Sequence, residues 1–162
     1  MRSLEQWFAE YGESHRNRTN KLIHFLCVPA ITFCTIGLLW AIPMPAALAS
    51  LPWLNAGTAL IVISLLFYFS LSVPLALGMA VTSALMVWLI IAIDNSRLSL
   101  WMLCSAIFAI AWVLQFVGHA VEGKKPSFLK DVQFLLIGPL WVTSFVFDKL
   151  GISYQTSDTQ IQ

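Results

Sequence analysis

The chain has 162 residues, 59% of them apolar and only 10% charged, and its formal net charge is +1. A domain of this size has too much exterior to hide so many apolar side chains from water, so the composition excludes an ordinary soluble protein and predicts one surrounded by lipid. The near-neutral charge and the lack of a basic stripe give no basis for a nucleic-acid partner.

The first segment of the chain predicts a short amphipathic helix. Leu4, Trp7, Phe8 and Tyr11 recur at the spacing of one helical face, and glutamates occupy other positions. Next to a membrane span, such a helix is expected to lie in the membrane interface. A helix that caps the bundle in water fits the same pattern equally well, so both placements stay open at this point.

Five apolar segments follow, and four of them are long enough to suit a membrane-spanning helix of about 20 residues. The four cover residues 22–41, 51–70, 73–93 and 98–117, and the second is expected to start nearer Gly57. The fifth segment, 132–147, is only 16 residues long and carries Gly-Pro in its middle. This predicts a kinked, short or re-entrant helix.

The pattern predicts an all-α fold: a polytopic membrane helix bundle with four to five transmembrane segments and an N-terminal amphipathic interfacial helix. Residues 1–150 are expected to form a single membrane-embedded domain, and residues 151–162 a polar, flexible tail. Seven of the nine Lys and Arg residues lie in the N-terminal flank and in loop 118–131, which the positive-inside rule places in the cytoplasm. The N-terminus is therefore expected on the cytoplasmic face, of the inner membrane in a bacterium or of the endoplasmic reticulum in a eukaryote.

All three histidines of the chain fall on this same side, and their spacing predicts a break in the helix. His15 and His24 are nine residues apart and half a turn out of phase, so a continuous helix would point them in opposite directions. They can converge only if the helix breaks between them. The interval between them contains good N-cap residues for such a break. A helix end is therefore expected near residues 16–18, and the start of the first span near Thr19 or Asn20.

A second polar cluster follows the fourth apolar segment. Gln115, His119 and Glu122 stand at i, i+4 and i+7 on one helical face, so their side chains can share a pocket. Polar groups of this kind are costly at membrane depth and usually serve function, and imidazole with carboxylate suits iron, zinc or manganese. The hypothesis is a metal site. The alternative is that the histidines are interfacial hydrogen bonders and that Glu122 pairs with Lys124 or Lys125.

Two motifs at these positions resemble those of the 2-hydroxy fatty acid dioxygenase family of small multi-pass membrane proteins, formerly a domain of unknown function. The first, YGESHRNRTNKLIHFLCVP, matches the family at Tyr11, His15, Asn20, His24 and Pro29. This motif departs from the family at Cys27, where glycine is usual. The difference affects backbone packing in the first span. The second, QFVGHAVEGKKP, matches at Gln115, Gly118, His119, Glu122 and Pro126, and the later LLIGPLW is also family-like. The resemblance covers about residues 4–148.

The resemblance implies an iron(II)-dependent dioxygenase of fatty acid α-oxidation, which uses dioxygen to remove the carboxyl carbon of a 2-hydroxy long-chain fatty acid. Eukaryotic members serve the breakdown of phytosphingosine. The implied metal ligands and catalytic residues are His15, His24 and His119, with Glu122 as a fourth ligand or as an acceptor that orients an imidazole. The residues expected to support this site are Tyr11, Asn20 and Gln115. The basic residues expected to meet the substrate carboxylate are Arg16, Arg18, Lys124 and Lys125.

Two other functions compete with the iron dioxygenase. One is a non-catalytic membrane protein, a lipid-binding or transport subunit whose polar clusters only set its orientation in the membrane. The other is a different metal-dependent lipid enzyme, such as a hydrolase that uses zinc-bound water. The metal content and the consumption of dioxygen separate these three possibilities.

Overall fold

The computed structural model describes residues 2–45, 51 and 53–154, and within them the chain forms six α-helices, one short 3-10 turn and no strand. The all-α prediction is therefore confirmed for these residues. In chain order the helices are α1 (Leu4–Gly12), α2 (Arg18–Trp40), α3 (Ala56–Phe69), α4 (Val73–Asp94), α5 (Leu100–Glu122) and α6 (Phe134–Leu150), and the 3-10 turn covers Ser127–Leu129.

Three of the helices, α2, α4 and α5, are long and apolar enough to cross a membrane, and α3 is a shorter apolar helix of 14 residues. They correspond to the four long segments seen in the sequence, and α3 begins at Ala56, next to Gly57, where its start was expected. Residue 52 of that segment lies outside the described residues. The outer surface of the bundle exposes large apolar side chains that suit contact with lipid, among them Leu26, Val81, Trp88 and Met102.

The chain does break between α1 and α2, but the break begins earlier than predicted. α1 ends at Gly12, before residues 16–18, and the N–H groups of Ser14 and His15 bond back by only three positions. The His15 N–H, for example, donates to the Gly12 carbonyl at 3.1 Å, which ends the helix in a tight turn. Asn17 then caps α2, and its side chain accepts a hydrogen bond from the Thr19 N–H at 2.8 Å.

α2 and α5 make the most extensive helix–helix contact of the described residues. Their backbones approach closely at Gly37, where an added Cβ would lie only 2.7 Å from Cys104 Sγ. Buried side chains around this contact form a core at one end of the bundle: Cys34, Ile36, Met86, Ile90, Leu100 and Cys104. The opposite end, where α2 begins and α5 ends, carries a second core.

α1 and α6 close that opposite end of the bundle. α1 buries one face there, and α6 adds Phe134, Ile137, Leu140 and Trp141. Early in α6, the Leu136 carbonyl accepts a hydrogen bond from Tyr68 Oη near the end of α3, at 2.9 Å. Just after α6, the Tyr154 carbonyl accepts one from Ser72 Oγ at the N-cap of α4, at 2.8 Å. The fifth apolar segment therefore packs against the bundle where α3 ends and α4 begins.

The C-terminal part of the chain turns back onto the bundle after α6. Gly151 ends the helix in the left-handed conformation, with a φ of 68°, and the Ile152 N–H donates to the Phe147 carbonyl at 2.9 Å. The flexible tail was expected over residues 151–162. Tyr154 contacts the bundle, and residues 155–162 lie outside the described part of the chain.

Candidate metal centre

The three histidines of the chain converge on one point at the end of the bundle closed by α1 and α6. His15 comes from the link between α1 and α2, His24 from the second turn of α2 and His119 from the last turn of α5. All three are buried, and one nitrogen of each ring lies within 4.8 Å of the other two. Their ring centroids are 4.2 to 5.1 Å apart. The sequence prediction that a chain break lets these imidazoles face each other is thus consistent with their positions.

Hydrogen bonds orient two of the imidazoles. His15 Nδ1 donates to the Tyr11 carbonyl at 2.6 Å, and His24 Nδ1 donates to the Asn20 carbonyl at 2.9 Å. Because a carbonyl oxygen only accepts, Nδ1 carries the proton in both rings and Nε2 keeps its lone pair. This backbone contact on the second ring nitrogen is the arrangement that metal-bound histidines usually have.

Two ring nitrogens at this point are buried without a hydrogen-bond partner, namely His15 Nε2 and His119 Nδ1. Buried polar atoms are almost always paired, so such orphans indicate a missing ion or water. Burial also lowers the pKa of His15 to about 4, so its imidazole is neutral near pH 7. A neutral imidazole is the form that binds a metal ion. The donor set therefore fits a transition metal.

Glu122 lies beside this group but uses both of its oxygens elsewhere. Its Oε1 accepts a hydrogen bond from the Arg16 N–H at 2.9 Å, and its Oε2 accepts from the Asn17 N–H at 2.8 Å. The carboxylate thereby closes the turn that carries His15 and satisfies free amides at the start of α2. Among the described residues there is no ion pair between Glu122 and either Lys124 or Lys125, so the predicted alternative pairing of this carboxylate is not observed.

Asn20 connects the two motifs inside the protein. It is fully buried, and its Nδ2 donates to the Ser14 carbonyl at 2.9 Å and to Glu122 Oε2 at 3.1 Å. Its side-chain oxygen lies against Gly118, where an added Cβ would overlap it. Glycine at position 118 is therefore the residue that lets α5 approach Asn20.

We expect Gly118→Ala to lower the free energy of unfolding by about 1–3 kcal/mol, because the added methyl group overpacks a site that has no free space. The measurement is the thermal unfolding of the purified protein in detergent. Gly12→Ala is the matched control, since a Cβ there has nothing within 4 Å. Equal unfolding temperatures for the two variants would contradict the close approach of Gly118 and Asn20.

Aromatic rings and small hydroxyl groups complete the surroundings of the histidines. Tyr11 stacks on the His15 ring with centroids 4.1 Å apart, and burial raises the pKa of its phenol, which stays protonated. Trp141 packs against both rings from α6. Ser14 Oγ lies 2.6 Å from Ser127 Oγ and joins the His15 turn to the loop after α5. Sequence reasoning gave no site role to Trp141 or to either serine, although LLIGPLW ends at Trp141 and Ser14 lies in the first motif.

A cavity of about 60 Å³ opens beside the imidazoles. Its polar lining consists of Tyr11, His15, His24, Thr32, Gln115, His119 and Ser127. The predicted position of Gln115 on the same face as His119 agrees with this lining. None of the four basic residues expected to meet a substrate carboxylate is part of it: Arg16, Arg18 and Lys125 are exposed, and Lys124 Nζ donates to the Glu13 carbonyl at 2.9 Å.

Fold and site together define an all-helical protein with helices of membrane-spanning length and a buried three-histidine site that fits a metal ion. The chain belongs to the Mpo1-like family: the family model described as 2-hydroxy-palmitic acid dioxygenase Mpo1-like matches residues 1–150. It is also similar to the 2-hydroxy-palmitic acid dioxygenase MPO1 of Saccharomyces cerevisiae, with 31% identity over 151 residues that cover 91% of this chain and 82% of the relative. No solved structure matches the chain. The family resemblance seen in the two motifs is confirmed.

Proposed function

We propose that this protein is an iron(II)-dependent dioxygenase that converts a 2-hydroxy long-chain fatty acid into the acid one carbon shorter. The observation that carries the proposal is the group of three buried imidazoles, two of them with an unpaired nitrogen, at one cavity. The names of the family and of the yeast relative support the substrate class and the reaction. One dioxygen converts the 2-hydroxy acid into the shorter acid, carbon dioxide and water, so the reaction needs no further reductant.

The proposed metal ligands are His15, His24 and His119. Imidazole binds iron(II), and three protein ligands leave coordination positions open for reactants. When bound, iron(II) supplies the redox chemistry that dioxygen requires. Glu122 is proposed to act as a positioning residue, because its oxygens hold the amides of the turn that carries His15. The sequence left two roles open for this carboxylate, a fourth metal ligand or an acceptor that orients an imidazole, and the Glu122→Ala variant tests them.

The chain itself would bind the polar end of the substrate at the cavity. Gln115 and Ser127 line it with groups that donate hydrogen bonds, and the Tyr11 phenol stays protonated in its buried position. The four basic side chains lie outside the cavity and would attract the carboxylate over a distance comparable to the Debye length of about 10 Å. Asn20 is proposed to hold the two motifs together through its hydrogen bonds to Ser14 and Glu122.

We propose that α2 to α5 cross the membrane, with α1 and α6 in the interface. The charge distribution of the sequence supports a cytoplasmic N-terminus and a cytoplasmic site. The 14 residues of α3 span about 21 Å at 1.5 Å per residue, less than a bilayer core of about 30 Å, so local thinning of the bilayer is required there. α1 buries Leu4, Trp7 and Tyr11 inside the protein and exposes Glu5 and Glu10, which suits a helix that closes the end of the bundle.

The purified protein loaded with iron(II) is expected to consume one dioxygen for each 2-hydroxypalmitate and to release pentadecanoate. Palmitate is the control substrate, and no oxygen should be consumed with it, because it lacks the hydroxyl group at the second carbon. An oxygen electrode measures the uptake of dioxygen, and mass spectrometry identifies the product. No oxygen uptake with any 2-hydroxy acid would reject the dioxygenase.

The same experiment separates the two competing functions. Three imidazoles also bind zinc, so a zinc-loaded protein that hydrolyses a lipid without oxygen uptake would favour the hydrolase. A protein that retains no metal after incubation with iron(II) or zinc would favour a non-catalytic lipid-binding or transport subunit.

A further inference from the structure

A second and larger cavity lies among the helices and adjoins the cavity of the histidines. It has a volume of about 460 Å³, and we call it the tail cavity. The two cavities share four wall residues: Ile31 and Thr32 of α2, Trp112 of α5 and Leu135 of α6. The tail cavity is thus placed where a molecule held at the histidines would extend into the bundle.

Positions along the helices show how deep the tail cavity reaches. On α5 the shared Trp112 lies seven residues before His119, and Phe108, at the wall of the tail cavity, lies eleven before it. With a rise of 1.5 Å per residue these separations are about 10 and about 16 Å. On α2, Ile36 lies twelve residues beyond His24, or about 18 Å. The cavity therefore runs from the histidine site toward the opposite end of the bundle.

The wall of the tail cavity is mostly hydrocarbon. Four of its hydroxyl groups donate to backbone carbonyls, mostly of their own helices: Thr32 to Val28, Thr35 to Ile31, Ser64 to Leu60 and Tyr68 to Leu136. Ser83 and Gln133 are the other hydroxyl and amide side chains of the wall. Methyl groups and rings fill most of the remaining wall, from Ile36, Leu60, Ile61, Met79 and Phe108. Such a wall suits an alkyl chain and would leave an ion or a polar solute without partners.

We propose that the tail cavity binds the acyl chain of the substrate, with its methyl end near Ile36, Leu60 and Ser83, and that its depth sets the preferred chain length. Ser83 lies eleven residues beyond Ser72, the N-cap of α4 at the histidine end, which places it about 16 Å into the bundle. The inference rests on the proposed function for the identity of the polar end. The cavity itself is independent of the metal.

The first test changes the depth of the cavity. Ser83→Phe places a ring at its deep wall, and we expect the ratio of oxygen uptake with 2-hydroxypalmitate to that with 2-hydroxydecanoate to fall at least about 10-fold. Leu85→Phe is the matched control on the same helix, because Leu85 is exposed and does not line the cavity. Thr35→Leu, a smaller change on α2, serves if Ser83→Phe does not fold. An unchanged ratio in a folded variant would overturn the proposal.

The second test measures binding without turnover. Full-length protein in detergent, without oxygen, is incubated with a 2-hydroxypalmitate analogue that carries a photoreactive diazirine at its last carbon. Labelled peptides are expected from the walls of α2 to α5 that include Ile36, Leu60, Ser83 and Phe108, and excess 2-hydroxypalmitate should remove the label. Ser83→Phe should lose the label, and Leu85→Phe should keep it.

The outcomes separate the two proposals. Specific labelling at the tail cavity without any oxygen uptake would reject the dioxygenase and keep the acyl site. Oxygen uptake with labelling only on the outer surface would reject the acyl site and keep the dioxygenase. A label in the cavity that excess 2-hydroxypalmitate does not remove would show that the cavity takes up the probe without selectivity and would also reject the acyl site.

Discussion

Alanine in place of His24 or His119 is expected to remove the bound iron and to lower oxygen uptake with 2-hydroxypalmitate by more than about 100-fold. Loss of residues that merely support a ligand typically costs 10–100-fold in metal affinity or activity, so loss of a ligand should cost more. Each imidazole contributes one of only three nitrogen atoms that meet within 4.8 Å. Two imidazoles alone would hold the ion weakly and leave it exchangeable.

The measurement combines metal analysis of the purified variants with their oxygen uptake. Val121→Ala is the control on the same helix, because this side chain lies two residues from His119 and is about half exposed. Size-exclusion chromatography and thermal unfolding establish that each variant is folded. Stoichiometric iron in both histidine variants would show that the three-histidine group is not the metal site.

Glu122→Ala is expected to weaken iron binding by about 10–100-fold while the number of atoms that coordinate the iron stays the same. The carboxylate accepts two backbone N–H groups and one Nδ2–H, and these contacts hold the turn with His15 against the end of α5. Without them the turn gains freedom, and the His15 imidazole is presented to the ion less often.

Iron titration gives the affinity, and X-ray absorption of the loaded protein gives the number of coordinating atoms. Glu13→Ala is the control, because Glu13 belongs to the same linking segment and its exposed carboxylate has only a 3.9 Å ion pair with Lys130. Glu122→Gln should recover part of the affinity, since it keeps one acceptor oxygen. A lower number of coordinating atoms in Glu122→Ala would show that the carboxylate is a ligand, and an unchanged affinity would exclude a positioning role.

Composition and periodicity were sufficient for the helical segments. A run of about 20 apolar residues has one stable arrangement in lipid, because a helix satisfies its own backbone hydrogen bonds. The four long segments found in the sequence are therefore close to α2–α5. The half-turn mismatch between His15 and His24 likewise required a break in the chain, and the structure has one.

The position of that break depended on contacts between distant residues. Sequence reasoning extended the first helix toward residues 16–18, whereas α1 ends at Gly12. Local propensity does not show that a carboxylate more than a hundred residues away accepts the Arg16 and Asn17 N–H groups. With those amides satisfied by Glu122, the chain has no need to continue the helix through them.

The sequence by itself determined the apolar segments of membrane-spanning length, the family and the three histidines, since each depends on residue type and spacing along the chain. Only the tertiary structure decided which atoms meet. It assigned Glu122 to backbone amides, packed α6 where α3 ends and left two adjoining cavities between helices. Cavities and long-range hydrogen bonds arise from the way side chains of several helices fill a shared space. The periodicity of one helix does not predict that packing.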